Sequence, residues 1–433
     1  MNTIIDNVEG LVRKLDLAQN PLVRRERRYS GESNIAYTSD FLIDDYRFLN
    51  SNLFKLAVDS VAERIRPSRV ECRIAGKQKN EVAKRYWDNS FMPQKISALV
   101  ADALALGSAY MIVWHDGASP FLSAESARGM TARHDPVTGR VVDAVKRYYE
   151  RTPEGGVSTE HVIYYGADAV VHFERAGNGG LKETNRVENP LGVPPVVSLI
   201  NKQRLGAGDV GASVIDSMEP LVDMLNKLLA DLATASEATA RPKRWATGIS
   251  LEEVEDGFTA DGDEPVQAEV VSPFSEADGV WTSENESARF GVLDGSSLTG
   301  FDTACSIVLE QISAVSCLPG HLLGVRSSQP ASADAVRATE AGLTARAEQA
   351  TSVFAPDLEL ATRLLIAVGE GVPLSQVEVR ISWADPATRS EAQAADAVSK
   401  LYSLGIITVD EARQRMGLPA MESKPKPKKV ALL

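Results

Sequence analysis

The sequence predicts an α+β fold that is mostly helical. Three observations carry this. Apolar residues recur at alternating steps of four and three over several long stretches, the period of one face of an α-helix. Between residues 109 and 174 the pattern changes to short apolar runs separated by turns, as antiparallel strands joined in succession read. Two of the helical stretches bracket a segment, 241–296, rich in Gly, Asp, Glu and Ser.

The elements follow in order. Residues 1–39 are polar and basic, with a break at Ser30-Gly31-Glu32-Ser33-Asn34, and read as a loosely attached N-terminal arm. Leu42, Tyr46, Leu49, Leu53, Leu56 and Ser60 then predict an amphipathic helix ending near Pro67. A second helix is expected over 78–90. A third runs from Pro93, suited to a first turn, to Gly107, suited to a C-terminal cap. Ala109–Trp114 reads as a buried strand. Arg140–Glu150, His161–Tyr165 and Ala169–Glu174 read as strands of an antiparallel meander. Asn189–Pro195 is a Pro-locked connector into a strand at Val196–Ile200.

From Pro220 a helix carrying Leu221, Leu225, Leu228 and Leu232 runs to about Ala240. Residues 241–296 read as a small, irregular α/β insertion with β-like pieces at Gln267–Val271 and Gly279–Thr282. The chain returns through a helix carrying Phe301, Cys305, Val308, Ile312 and Val315, which is expected to hold Cys317 as well and to end at Pro319-Gly320. A polar loop follows. Ser332 is placed to cap a helix that runs to about Gly369 and bends at Pro356. Val377, Val379, Ile381 and Trp383 alternate as in a half-buried strand. Two last helices open on capping boxes, Ser390-x-x-Gln393 and Thr408-x-x-Glu411. The lysine- and proline-rich end reads as disordered.

Composition narrows the function. A 433-residue chain, 44% hydrophobic and 24% charged, is long enough for two to three domains by a prior of about 150 residues each. No run reaches about 18 uncharged apolar residues, so no transmembrane helix and no membrane partner is expected. The first residues lack the apolar region of a secretory signal. Three scattered cysteines, Cys72, Cys305 and Cys317, argue against a disulfide framework or a zinc site and fit a reducing, intracellular origin. The net charge is −13, whereas tight DNA clamps are basic. Positive charge is local: Arg24–Arg28, then Arg241, Lys243 and Arg244, then Lys424–Lys429.

Catalytic constellations are missing. There is no P-loop, no HExxH, no Cys/His cluster and no GxSxG elbow, so neither catalytic residues nor a metal or cofactor is assigned. His161 and His172 read as structural strand histidines. Gly206-Ala207-Gly208-Asp209-Val210-Gly211 matches a dinucleotide fingerprint. However, five residues separate it from the preceding strand, and no acidic strand end follows about twenty residues on. It reads as a Gly-rich turn. Residues 400–417 resemble a helix-turn-helix with Arg413, Gln414 and Arg415 in the second helix. That gives the alternative reading, a DNA-binding adaptor or regulator.

A family resemblance then emerges from local phrases. They are Asp102–Tyr110 followed by Val113-Trp114, Asn189–Val197, Ala240–Gly248, Leu318–Gly324, Ala331–Ala335, Trp383–Pro386 and Ala395–Leu401. In this order they resemble the portal proteins of tailed bacteriophages, of the type found in long-tailed phages of Gram-positive and actinobacterial hosts. The resemblance implies a wing at 40–210 and 370–388, with stem helices at 211–240 and 297–318 around a clip at 241–296. It further implies a tunnel loop at 319–331, a long bent helix at 332–369, a helical crown at 389–417 and a basic tail at 418–433. It implies a homo-oligomeric ring, usually dodecameric, that conducts double-stranded DNA at the portal vertex of the virion after assembly in the host cytoplasm. Implied partners are the terminase large subunit, the major capsid and scaffolding proteins and a head-completion adaptor. Within that frame Arg326, Ser327, Ser328 and Gln329 are the candidate DNA-contacting loop. Arg241, Lys243 and Arg244 are the candidate clip or exit contacts for terminase and adaptor.

Overall fold

In a computed structural model the described residues are 2–32, 50–115, 117, 119–151, 156–177, 179–202, 211–240, 244–248, 286–293, 297–325, 332–387, 391–416 and 418. They fall in two compact units. One comprises residues 1–30, 52–218 and 313–433, the other 31–51 and 219–312.

The first unit opens on a helix, not a loose arm. α1 spans Asn2–Ser30. Val8, Leu11, Leu15 and Leu22 step by three, four and seven along one face, and all are buried. That stripe is a helical period, hidden in the sequence by the charges interleaved with it. Val8, Leu11 and Val12 pack against Val145, Val162, Val171 and Phe173, which belong to a five-stranded antiparallel meander. Its strands, in spatial order, are β5 (Met130–His134), β6 (Val141–Arg151), β7 (Val157–Tyr165), β8 (Ala169–Ala176) and β9 (Lys182–Glu188). The meander expected from the turns is present, with β5 and β9 added at its edges. β9, KETNRVE, is exposed at nearly every position. It is an edge strand kept soluble by charge, which is why no apolar alternation marks it.

The rest of this unit is built around α7 (Ala333–Glu370). β1 (Pro67–Ile74) pairs antiparallel with β13 (Val377–Trp383), with the two-residue β2 (Lys77–Gln78) on its other side. In a second sheet β3 (Ser108–His115) lies between β10 (Val196–Ile200) and β4 (Pro120–Ser126). β4 escaped the sequence reading because only Phe121 and Leu122 among its seven residues are large apolar ones. α7 packs on both sheets and on α2 (Leu53–Ala62) and α3 (Asn80–Asn89). Trp87 Nε1 donates to Thr362 Oγ1 at 3.0 Å in a fully buried contact. Pro356 lies inside α7, which continues through it to a left-handed cap at Gly371.

Three further boundaries differ from the sequence reading. α2 is described only from Leu53, capped by Asn52, and it buries Phe54, Ala57, Val58 and Val61 rather than Leu53 and Leu56. The helix expected from Pro220 begins at Val214 (α5, Val214–Ala240), where the Ile215 N–H meets Ser213 Oγ at 3.1 Å. Cys317 lies just beyond the end of α6 (Thr299–Ser316), in the left-handed region at φ 56°. α4 (Met92–Leu106) matches expectation, with Pro93 in its first turn and Gly107 at φ 100° as its cap. β13 alternates buried and exposed as read. α8 (Glu391–Ser403) and α9 (Val409–Arg415) form the C-terminal pair. Ser332 caps α7 through the Ala335 N–H at 3.2 Å. The Thr408–Glu411 capping box closes with bonds of 2.8, 3.0 and 3.3 Å, which hold the Glu411 carboxyl below its usual range. Ser390, the β-like pieces at 267–271 and 279–282, and the basic tail lie outside the described residues.

Candidate nucleic-acid interface

The second unit takes in α5 from Glu219 and α6 as far as Ile312, joined through the insertion. Val222, Leu225 and Ala230 of α5 and Val308 and Ile312 of α6 are its buried apolar positions among the described residues. Asn226 is buried too, and its amide bonds through both ends: Oδ1 accepts from the Ser51 N–H (3.0 Å) and hydroxyl (2.7 Å), and Nδ2 donates to Asn50 Oδ1 (3.1 Å). The charges of the two helices are lopsided. Along their full length they carry seven carboxylates (Asp216, Glu219, Asp223, Asp231, Glu237, Asp302 and Glu310) against Lys227 as the single base. Lys227 is itself paired with Asp231 one turn on, at 2.5 Å. Asp216 is taken up by Arg25, and the two helices remain net acidic.

Cations appear at the insertion. β11 (Arg244–Thr247) and β12 (Arg289–Val292) form an antiparallel ribbon with Arg244 opposite Val292, Trp245 opposite Gly291, Ala246 opposite Phe290 and Thr247 opposite Arg289. Because side chains alternate across a strand, one face carries Trp245 and Arg289 and the other Arg244 and Phe290. Each face thus has one guanidinium and one exposed aromatic ring. Arg289 was missed in the sequence, being a lone arginine that only the pairing sets beside Trp245. Arg241 and Lys243 lie outside the described residues.

Arg326, Ser327, Ser328 and Gln329 also lie outside them, but both shoulders of that loop are defined. On one side Leu318 and Leu323 are buried, with turn bonds Leu322 N to Pro319 O (3.0 Å) and Val325 N to Gly320 O (3.0 Å). On the other stands the Ser332 cap.

The glycine fingerprint has a packing explanation where it is described. Gly211 has φ +70°, and a Cβ there would come within 2.0 Å of the Gly107 carbonyl oxygen. The same carbonyl accepts from the Asn201 N–H at 2.9 Å. Gly211 is a point of backbone approach; Gly206–Val210 lie outside the described residues. The basic run in α1 is likewise engaged in structure. Arg25 is buried and forks onto Asp216 (3.0 and 2.5 Å) while donating to the Leu106 carbonyl (2.6 Å). Arg28 lies over the Phe54 ring at 5.9 Å.

The histidines do not converge. His161 stacks on Tyr148 (4.8 Å), between Glu150 and Glu174. His172 stands one strand over, its pKa lowered by burial. Among the described residues no group of three or more His, Cys, Asp or Glu is placed to hold a metal ion, and no helix is long and apolar enough to cross a membrane. α9, with Arg413 and Arg415, has seven residues, under two turns of the length a groove-reading helix uses.

The family model for the phage portal protein, SPP1 Gp6-like, matches residues 22–418, and the chain belongs to that family. The portal proteins of Mycobacterium phage L5 and Mycobacterium phage D29 are each 26% identical to it, over 85% of this chain and 76% of theirs. Among solved structures, a chain of the virion of a native gene transfer agent particle aligns with a TM-score of 0.45 at 14% identity, covering 92% of this chain and 94% of that one. A chain of the neck of the native particle, computed with C12 symmetry, aligns with a TM-score of 0.43 at 14% identity, covering 92% and 99%. The protein is a structural portal subunit of a tailed phage, and the role of DNA-packaging conduit is general to portals. The helix-turn-helix alternative falls away with this, since the match runs on through α9.

Proposed function

We propose that the chain assembles into a closed ring, of twelve copies, at one capsid vertex. Double-stranded DNA passes through it during packaging and ejection. The terminase large subunit, the head-completion adaptor, and the major capsid and scaffolding proteins dock on its outside. Assembly takes place in the host cytoplasm. The observation that carries the channel reading is the excess of carboxylates on α5 and α6. A protein that neutralises many phosphates holds DNA with steep salt dependence; a conduit must let it slide.

In this reading 40–210 with 370–388 is the wing, α5 and α6 are the stem, 241–296 is the clip, and 389–417 is the crown. The compact unit that includes Glu219–Ile312 supports treating stem and clip as one limb. Arg326–Gln329 touch passing phosphates transiently. Arg241, Lys243 and Arg244, with Arg289, present cations to terminase or adaptor at the clip. The test is the mass of the purified protein. Twelve copies of 46.7 kDa give a cyclic particle of about 0.56 MDa in mass photometry, seen as rings in negative stain. A strictly monomeric species, with no ring at a vertex of assembled heads, overturns the reading.

A further inference from the structure

We propose that the β11–β12 ribbon of one copy stacks face to face, in register, on the ribbon of the next copy, so that each arginine of the ribbon meets an aromatic ring of a neighbour. This rests on the ring reading and names one contact within it. Among the described residues β11 and β12 form a two-stranded sheet of their own, and two strands are marginal in water unless something packs on them. Both faces stand open. Arg244, Trp245, Arg289, Phe290 and Val292 are all exposed, Trp245 at 41%, Phe290 at 40% and Val292 at 53%. Large apolar side chains grouped this way on a soluble surface mark a contact site, and tryptophan and arginine are prominent among the residues that carry one. The indole is also presented for stacking. Three neighbouring ring atoms lie at 2.5, 2.5 and 2.6 Å from where a Cβ at Gly291 would stand, so the ring meets the strand by one face and turns the other outward.

The order of residues in the ribbon selects a second ribbon as the occupant. Each arginine directly precedes an aromatic residue: Arg244-Trp245 on β11 and Arg289-Phe290 on β12. Consecutive residues of a strand point to opposite faces. When two identical ribbons stack without slipping, the side chain met across the gap is therefore a neighbour in sequence. The next copy's Arg244 stands against Trp245, and the next copy's Phe290 stands against Arg289. Both strands thus set a guanidinium on a ring, an attractive pairing. Arg244 and Phe290 each have a further interaction of their own. A guanidinium bonded in its plane still offers its flat side to a ring, so the stack needs no unpaired arginine, and its edges remain for a partner at the clip. The two faces differ, so the contact is head-to-tail. Repeated from copy to copy with a rotation that divides the circle, it closes a ring.

The test puts Ala246→Cys on one face and Thr247→Cys on the other in the full chain, sparing both arginines and both rings. Stacked sheets lie about 10 Å apart, beyond the reach of a disulfide, so a short bismaleimide joins the thiols. Assembly is followed by mass photometry and cross-links by denaturing gel, with each single variant and the unaltered chain as controls. The expected result is a ladder of dimers, trimers and higher species that needs both new cysteines. Rings without a ladder overturn the contact and leave the ring reading standing; if an added adaptor then shields the two thiols, the faces belong to it. A dimer from either single variant means like face on like face and overturns the contact as well. Absence of rings from the unaltered chain removes the ring reading and this contact with it. A second pair of variants needs no cysteine and decides the matter if the double variant fails to assemble. Rings of Trp245→Leu are expected to dissociate at concentrations about tenfold higher than those of the unaltered chain, and Trp245→Phe, which keeps a ring for the arginine, should recover most of the loss. Equal loss in both, or none in either, overturns the proposal.

Discussion

Trp245 lies over Gly291, its directly opposite partner on the β11–β12 ribbon. A methyl group at 291 would sit 2.5 Å from the indole ring, well inside van der Waals contact. The glycine is what lets the ring cover the strand. Gly291→Ala is expected to push the indole away and loosen the ribbon by about 1–2 kcal/mol, in the range of strained small-to-large changes. Hydrogen exchange of amides 244–247 and 289–292 should speed up while the amides of α7 keep their protection. Unchanged exchange in the ribbon would show that Trp245 can move at no cost.

Arg25 joins three elements: its own helix, the C-terminal end of α4 and the start of α5. Arg25→Ala strips Asp216 of its fork and leaves the Leu106 carbonyl without its cation. The expected loss is about 2–4 kcal/mol, the cost of breaking a buried charged network, read as a lower midpoint in urea. Arg25→Lys should recover only part of it, because an ammonium cannot bond the carboxylate in fork geometry.

Asp357 on α7 is held by burial at a pKa of about 7, with Lys202 pulling weakly the other way. Its folded pKa lies above that of the unfolded chain, so the native state binds the extra proton between pH 4 and 7. Stability from this group is therefore full below about pH 4 and declines as pH rises through 7. Asp357→Asn removes the dependence. The variant is expected to be more stable than the parent at pH 8, by on the order of 1–3 kcal/mol, read as a higher melting temperature, and to match it near pH 4. Equal melting at both pH values would mean that the carboxylate is solvated.

The carboxylates of the helix pair give a salt-dependence prediction. Reversing Asp231 and Glu237 to Lys should make rings retain duplex DNA. The slope of log K against log salt should steepen by about 0.9 for each phosphate newly neutralised. If retention and slope stay the same, these acids do not face the DNA path.

The loop and the ribbon should separate by function. Arg326→Ala is expected to slow packaging of DNA into heads and leave ring mass unchanged. Arg244→Glu with Arg289→Glu should weaken capture of terminase or adaptor at low salt most strongly, as for contacts made by exposed charge. A packaging defect equal in both variants would argue that they touch the same partner.

Much of this protein could be read directly from its sequence. Helices with a clean four-three period, such as Phe301 to Val315, declared themselves, because burial on one face imposes that spacing. So did the alternating β13, the Ser332 and Thr408 caps, and the Pro93 and Gly107 boundaries of α4, where local chemistry decides the ending. The order of the local phrases was enough to indicate the portal family.

Other features depended on partners distant in the chain. Whether residues 2–30 are arm or helix was settled by the apolar face of β6–β8, which buries Val8, Leu11 and Val12; the same residues without that sheet would leave a charged, marginal helix. β9 is a strand because β8 offers it an open edge, not because KETNRVE favours extension. Gly211 is required by the Gly107 carbonyl 104 positions earlier, and Arg25 became structural rather than nucleic-acid-binding because Asp216 lies against it. Propensity, capping and periodicity act over a few residues and leave their mark in the sequence. Edge pairing, close backbone approach and the burial of a charge are set by what folding brings alongside, and only the tertiary structure decides them.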